Sequence, residues 1–412
     1  MAATGIQRAS ARTRSSIEAH PIEFTGSGGE YFRVWIVNVL LSIVTLGIYT
    51  PWARRRTAQY FYSHTQVAGS PLEFAAQQRK MVVGFLMMAA LYLAYQIAAE
   101  TGQELASMLL LIGFAVLTPF LWGSAMRFRL SATRWRGIRL AFTASWREVY
   151  TASWPVFAIA AIWVVVLFVT GAMSPPSLGG AEGDESPLQL PALGGLVIGL
   201  GIVGSALTLL CIIRLEYNYR SLLVLRARIG NQMGRWKPVY MDFVRIWLAT
   251  AGLFLLLVLA VVLAVSLFSG SMALLFKKVG SGGIAGMVLV FMLVFLGGFL
   301  GLFLISLPAR AYRQARMFQL VWNNVGVSHI ARFKTNLRTW PFIRLRIKNM
   351  LLTLLTLGFY RPFALTSEYA MKVDSVMLYL KGGTDQLVGE LVKQQGAFGD
   401  AAADALGLDL IG

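Results

Sequence analysis

The side chains able to do chemistry are few, and their spacing argues against catalysis. The 412 residues hold one cysteine, Cys211, and three histidines, His20, His64 and His329. A metal site needs several such ligands gathered at characteristic intervals, and none are. No glycine-rich phosphate loop is present, nor any nucleophile–base pair. The expectation is therefore no enzyme, no metal and no cofactor. The histidines lie outside the apolar runs and read as hydrogen-bonded or exposed interfacial groups; a headgroup contact or proton-sensitive switch is the functional alternative. Cys211 sits inside an apolar run and excludes an intrachain disulfide. The chemistry this chain does advertise is ionic. Arg54, Arg55 and Arg56 follow an aromatic residue, Arg134 and Arg136 flank Trp135, and Arg344 and Arg346 open a basic stretch. Such residues fix topology and snorkel to the membrane surface, or they receive the headgroup of an anionic lipid.

One further motif is written twice. Residues 33–53 and 344–364 match at a constant offset of 311, with eleven of 21 positions identical. The shared residues include Asn38/Asn349, Thr45/Thr356, Gly47/Gly358, Tyr49/Tyr360 and Pro51/Pro362, with Trp52 beside the first proline. Apolar drift does not reproduce Asn, Thr-Leu-Gly, Tyr and Pro at fixed intervals, so this is an internal repeat. Glycine can end a helix in a left-handed cap and proline can start the next. Between Lys348 and Arg361 lie twelve uncharged residues, which reach about 18 Å as helix against a bilayer core of about 30 Å. Both copies are therefore expected to dip into the cytoplasmic leaflet and return, as a structural plug or a gate. The rival is eight full spans with both termini outside.

The elements that must carry these motifs are set by composition. Hydrophobic residues make up 57% of the chain and charged residues only 14%, too apolar for a soluble domain. Six runs are long enough to span: about 81–99, 105–126, 152–173, 190–213, 246–268 and 284–307. None contains Asp, Glu, Lys or Arg, which disfavours an ion-coupled pump. The stretches 52–80, 127–148, 214–245 and 308–348 carry 27 Lys+Arg against 4 acids; the alternate stretches 100–104, 174–189 and 270–283 carry 2 Lys and 5 acids. Alternation is strict, so the basic face is cytoplasmic by the positive-inside rule, and both termini with it. The net charge of +18 thus reads as topology and contact with anionic lipid rather than nucleic acid.

The basic connectors look like variants of one unit. Each runs from polar-aromatic residues through Gly to Phe: Tyr60–Gly69–Phe74, Phe128–Gly137–Phe142 and Phe318–Gly326–Phe333. The stretch 214–245 fits poorly. Residues 21–32 resemble the end of such a unit. Interfacial β-hairpins or amphipathic helices both satisfy the pattern. Small residues recur four apart, about one helical turn, at Gly195 and Gly199, at Gly201 and Ser205, and again at Gly297 and Gly301. They suit helix packing within the chain, or alternatively a homodimer face or a substrate passage.

Phe24-x-Gly26, Gly29-Glu30-Tyr31-Phe32, Asn38, Thr45-Leu46-Gly47-Ile48-Tyr49, Pro51-Trp52 and Tyr60 together resemble the bacterial YjgN-like inner-membrane proteins, over about 21–380. The resemblance implies a multi-pass inner-membrane protein with no assigned activity and no catalytic residues to carry over. The fold class expected is all-α and polytopic, with about six transmembrane helices and two short re-entrant or spanning repeats. The expected layout is a polar tail 1–20, a membrane domain 21–363 in two halves (about 21–173 and 190–363) joined by an external loop 174–189, and a cytoplasmic tail 364–412 with a helix at 364–380. Two functions stay open. One is transport- or channel-like passage of a small or amphipathic solute. The other is a non-catalytic scaffold binding anionic lipid or a cytosolic partner through its basic face. A polar cavity reaching the midplane would favour the first, a tightly packed core the second.

Overall fold

The computed structural model describes residues 17–173, 190–230, 232–267, 283–328 and 330–381. Ten strands close into one barrel: β1 (Ile17–Phe24), β2 (Thr65–Val67), β3 (Ser70–Phe74), β4 (Thr133–Trp135), β5 (Ile138–Phe142), β6 (Ala227–Ile229), β7 (Gln232–Trp236), β8 (Val325–Val327), β9 (Ala331–Thr335) and β10 (Val376–Lys381). Neighbours run in chain order, all antiparallel, and β10 closes onto β1. The all-α expectation is thereby corrected. The basic connectors are hairpins, and ring closure pairs every edge they would otherwise expose.

Hairpin turns follow from local chemistry. Ala68-Gly69 and Arg136-Gly137 join their strands with positive φ at both positions (50° and 73°, 49° and 78°), the geometry of two-residue hairpin turns whose twist matches the flanking strands. The poorly fitting stretch 214–245 builds the same hairpin from β6 and β7. In the last connector Gly326 lies within β8; Ser328 takes the positive φ instead. Residues 376–381 are strand rather than helix, because Val376, Leu378 and Leu380 alternate inward.

Strand register dictates where the helices go. Phe24 faces Thr65, Phe74 faces Thr133, Phe142 faces Ala227, Trp236 faces Val325 and Thr335 faces Val376. Each of these is the strand end that joins a helix, so all helices leave from one rim. At every departure three residues separate strand from helix: 25–27, 75–77, 143–145, 237–239 and 336–338. The turns lie at the opposite rim, where Ile17 faces Lys381. The described ends of the chain therefore meet on one side of the barrel.

The result is five strand–helix–helix–strand units in a ring, where the sequence suggested two halves. Unit one carries α1 (Gly28–Val44) and α2 (Thr50–Ser63). Unit two carries α3 (Gln78–Glu100) and α4 (Glu104–Ala132). Unit three carries α5 (Trp146–Ala152), α6 (Trp154–Met173) and α7 (Leu190–Leu225). Unit four carries α8 (Tyr240–Leu267) and α9 (Gly283–Asn324), and unit five α10 (Thr339–Leu355) and α11 (Arg361–Val373). By length and composition, α3, α6, α7, α8 and α9 each contain a candidate membrane span. The run 105–126 lies within α4, a 29-residue helix interrupted in sequence, though not in structure, by Pro119. Linker 174–189, the tail beyond 381 and residues 1–16 fall outside the described residues, as does His329.

Units one and five are the short ones. Their helices of 13 to 17 residues reach only about 20–25 Å. Because β1 pairs with β10, these units are neighbours: Phe32 stacks on Phe363 at 5.9 Å and Trp35 meets Phe359 at 6.4 Å. The repeat copies that bracket the sequence stand side by side in space.

Candidate functional site

The duplicated motif builds a helical hairpin, and each shared residue has a mechanical task. The Asn38 amide donates to the carbonyl of Ala53 at 3.3 Å, and Asn349 does the same to Ala364 at 3.3 Å, pinning the two helices of each pair together. The Thr45 and Thr356 hydroxyls accept from the backbone N–H of Tyr49 and Tyr360 at 3.0 and 2.9 Å, satisfying an otherwise orphaned donor where the second helix starts. Gly47 and Gly358 hold φ of 88° and 96°, a region that a Cβ disfavours. Pro51 and Pro362 occupy the first turn of α2 and α11. Trp52 stacks on Tyr49 at 6.0 Å. At the tips, Leu46 and Leu357 are 94% and 90% exposed, an apolar point on a hairpin rooted in the barrel.

The seven singled-out arginines divide. Arg136 is committed to the hairpin, donating to Ser70 Oγ at 2.8 Å and the Ala68 carbonyl at 3.1 Å. Arg346 is committed to Gln314 and to Glu368, the latter at 3.3 Å. Arg54, Arg56 and Arg344 are exposed, while Arg55 and Arg134 are half-buried with Nε unpartnered. Gly195, Gly199, Gly201, Gly297 and Gly301 face open space, with nothing within 4 Å of an added Cβ. Among the described α7 glycines Gly204 sits against α6, where an added Cβ would meet Val166 at 3.3 Å.

The arrangement the sequence did not disclose is the barrel interior. Side chains alternate along each strand, and the inward ones are mostly apolar; Thr65, Thr133 and Gln232 also line the space, and Glu18 and His20, opposite Leu380 and Leu378, share that face near the turn rim. The space is a cavity of about 590 Å³, walled by Ile22, Val67, Leu72, Trp135, Leu140, Ile229, Val327, Phe333 and Leu378. At the turn rim, Trp135, Ile138, Ala331, Leu378 and Leu380 pack into a buried cluster, with Trp135 Nε1 donating to the Val67 carbonyl at 3.0 Å. That cluster floors the lumen. At the helix rim the lining changes to Tyr62 of α2, Arg129 of α4, Phe318 and Trp322 of α9, and Tyr369 and Lys372 of α11. The Tyr369 hydroxyl meets Thr65 Oγ1 at 2.9 Å; burial pushes its ionisation upward and the Thr65 bond partly opposes this. Burial likewise holds the Lys372 ammonium below its ordinary range, with Glu368 opposing and Arg346 adding to the shift.

A second hollow, about 900 Å³, lies between units one and two. It is lined by Trp35, Asn38 and Ile43 of α1, Arg54 and Thr57 of α2, Met81 of α3, and Met126 and Arg129 of α4. Tyr62 and Arg129 border both spaces. A groove beside a short helical hairpin thus adjoins an apolar chamber with a packed floor. Among the described residues no group of three or more His, Cys, Asp or Glu could hold a metal.

Ten short strands in a ring carrying long apolar helices on one rim define a helix-rich membrane protein with a strand-built base. The chain belongs to a bacterial protein family of unknown function, DUF898, whose profile matches residues 19–405. Stretches of it are similar to proteins called inner membrane protein YjgN. The Salmonella typhimurium protein is 27% identical over 150 residues, 36% of this chain and 37% of the relative. That of Escherichia coli K12 is 28% identical over 163 residues, 39% and 40% respectively, and that of Escherichia coli O157:H7 is 29% identical over 134 residues, 32% and 34%. The matched stretches thus span two fifths or less of these curated relatives. No solved structure matches.

Proposed function

We propose that this protein takes an amphipathic molecule from the cytoplasmic leaflet of the inner membrane and shelters its apolar part in the barrel lumen. In this reading the basic rim and barrel are cytoplasmic, α3, α4 and α6 to α9 form six spans, and the two repeat hairpins re-enter from the same side. The observation that carries it is the shared border: Tyr62 and Arg129 line both the groove between units one and two and the lumen. A lumen of this size falls within the range of small-ligand sites, roughly 300–1,000 Å³. Its packed floor argues for a blind chamber and against conduction of a polar solute through the barrel. The groove has the low wall a membrane ligand needs, since the hairpin beside it is short.

Filling the chamber tests this. Val327→Trp should displace lipid or acyl ligand that co-purifies with the protein in native mass spectrometry, while Arg139→Trp, on an outward strand position, should leave it in place. Equal retention by both, or no ligand on the unaltered protein, would sink the reading. A second reading, an anionic-lipid scaffold, is favoured by the outward cations Arg134, Arg139, Arg228, Arg332 and Lys334 on the barrel wall. It requires no lumen ligand, so the same experiment separates the two.

A further inference from the structure

We propose that the lumen selects an amphipath with an anionic oxygen head, a carboxylate or phosphate on an acyl chain, and that Arg129 and Lys372 hold that head at the helix-side mouth. The inference rests on the chamber reading above and names its ligand class.

The two cations occupy matching places. Arg129 stands four residues before β4 and Lys372 four residues before β10, each in the last turn of its helix. Their units, two and five, flank unit one in the ring, so the cations bracket the short hairpin and the groove beside it. The cavity lining contains no Asp or Glu. Neither side chain has a hydrogen bond or an ion pair within 4.0 Å among the described residues; the carboxylate that acts on Lys372, Glu368, is already bound to Arg346 and Asn349, each at 3.3 Å. A cation at a helix C-terminus complements the helix dipole; Lys372 does so half-buried, with part of its water lost, while Arg129 stays exposed where the lumen and the groove meet. At Lys372, positive charge in a lumen of mostly apolar lining and without an acid among its lining residues leaves a desolvation cost that a bound anion offsets, and the exposed Arg129, with no such partner of its own among the described residues, supplies the second charge-assisted hydrogen bond to the same head. The acyl chain then has one direction available, down into the lumen toward Trp135 and Leu378.

The test uses the full chain in nanodiscs of zwitterionic lipid, titrated with three probes of equal tail: palmitate, its lysophosphatidate counterpart and palmityl alcohol. Binding is read by native mass spectrometry. Both anions should bind about tenfold or more tighter than the alcohol, as charge-assisted hydrogen bonds imply, and whichever anion binds tighter identifies the head. In Arg129→Gln/Lys372→Gln the three probes should bind alike while the alcohol is unaffected. Lys372→Arg, which keeps the charge, should retain the preference and controls for folding. An alcohol that binds as tightly as the anions, or a preference that survives in the double variant, would overturn the assignment. Binding of none of the three would remove the chamber reading itself, a separate outcome.

Discussion

At the scale of single residues, Asn349 and Asn38 show what the repeat preserves. Asn349 is 1% exposed and its amide reaches Ala364, Ser367 and Glu368; Asn38 reaches Ala53 alone. Leaving buried partners unpaired costs about 1–3 kcal/mol. Asn349→Ala should therefore lower the thermal midpoint in detergent more than Asn38→Ala does. Equal effects would mean that the extra bonds to Ser367 and Glu368 carry nothing. Glu148 offers a pH test. The Ser145 backbone N–H, with Arg226 helping, holds its carboxyl below the ordinary 4.5. A folded value below the unfolded one means that the stability is present above the unfolded value and is lost as pH falls through the folded one. Glu148→Gln should thus flatten the acid limb of the stability profile, measured as thermal midpoint against pH. A limb unchanged in that variant would assign the dependence to other carboxylates. Sequence alone placed the Asn, Thr, Gly, Tyr and Pro positions of the repeat, because fixed spacing survives without knowledge of contacts. It could not sort the arginines: Arg136 and Arg346 bind groups up to 68 residues away, and only a fold brings those together.

At the scale of elements, the hairpins were half legible. Gly69 and Gly137 marked turns because two-residue hairpin turns need positive φ. The strands themselves are three to five residues long in β2 to β9, and β4, β5, β6 and β9 alternate arginine with apolar residues, a pattern an interfacial helix also satisfies. Both alternatives are realised in succession, since the helical spacing from Trp52 to Tyr62 belongs to α2 and the hairpin follows it. The unit at 214–245 was hidden because Trp236 replaces Phe and Met233-Gly234 weakens the strand pattern. Turn energetics give a pair of opposite predictions. Ala68 holds φ of 50° and Gly69 φ of 73°, and a side chain in that region costs about 1–2 kcal/mol. Ala68→Gly should raise stability and Gly69→Ala should lower it, read by the same thermal assay. If both substitutions shift the midpoint in one direction, the turn is not of this type.

At the scale of the whole molecule, the decisive fact is that β10 closes on β1. Nothing local announces it: the partners lie more than 350 residues apart, and strand pairing at that distance leaves no periodicity to read. Closure turns two sequence-distant repeats into neighbours and the described chain ends into a single seam. A direct check is Ala19→Cys with Tyr379→Cys in a Cys211→Ser background. These positions face each other across the seam, and opposed antiparallel residues lie about 4.5–5.5 Å apart at Cα, inside the disulfide range. The pair should cross-link under mild oxidation in native membranes; failure to do so would open the ring. Gly195, Gly199, Gly201, Gly297 and Gly301 of α7 and α9 remain turned outward, and in the most apolar 18-residue stretches of α3, α6 and α8 only 6% of residues are buried. Most of the span surface is thus covered by something other than this chain, which is the condition under which lipid can reach a groove between units.

The most direct test of that route is photolabelling. A membrane containing the protein is loaded with a fatty acid that carries a diazirine near its tail end, irradiated, and the adducts are mapped by peptide mass spectrometry. Entry through the groove predicts adducts on the lumen residues Leu140, Ile229 and Val327, lost in Val327→Trp. Adducts confined to the outward faces of the spans, at residues such as Leu255 and Phe295, with none on any strand, would contradict it.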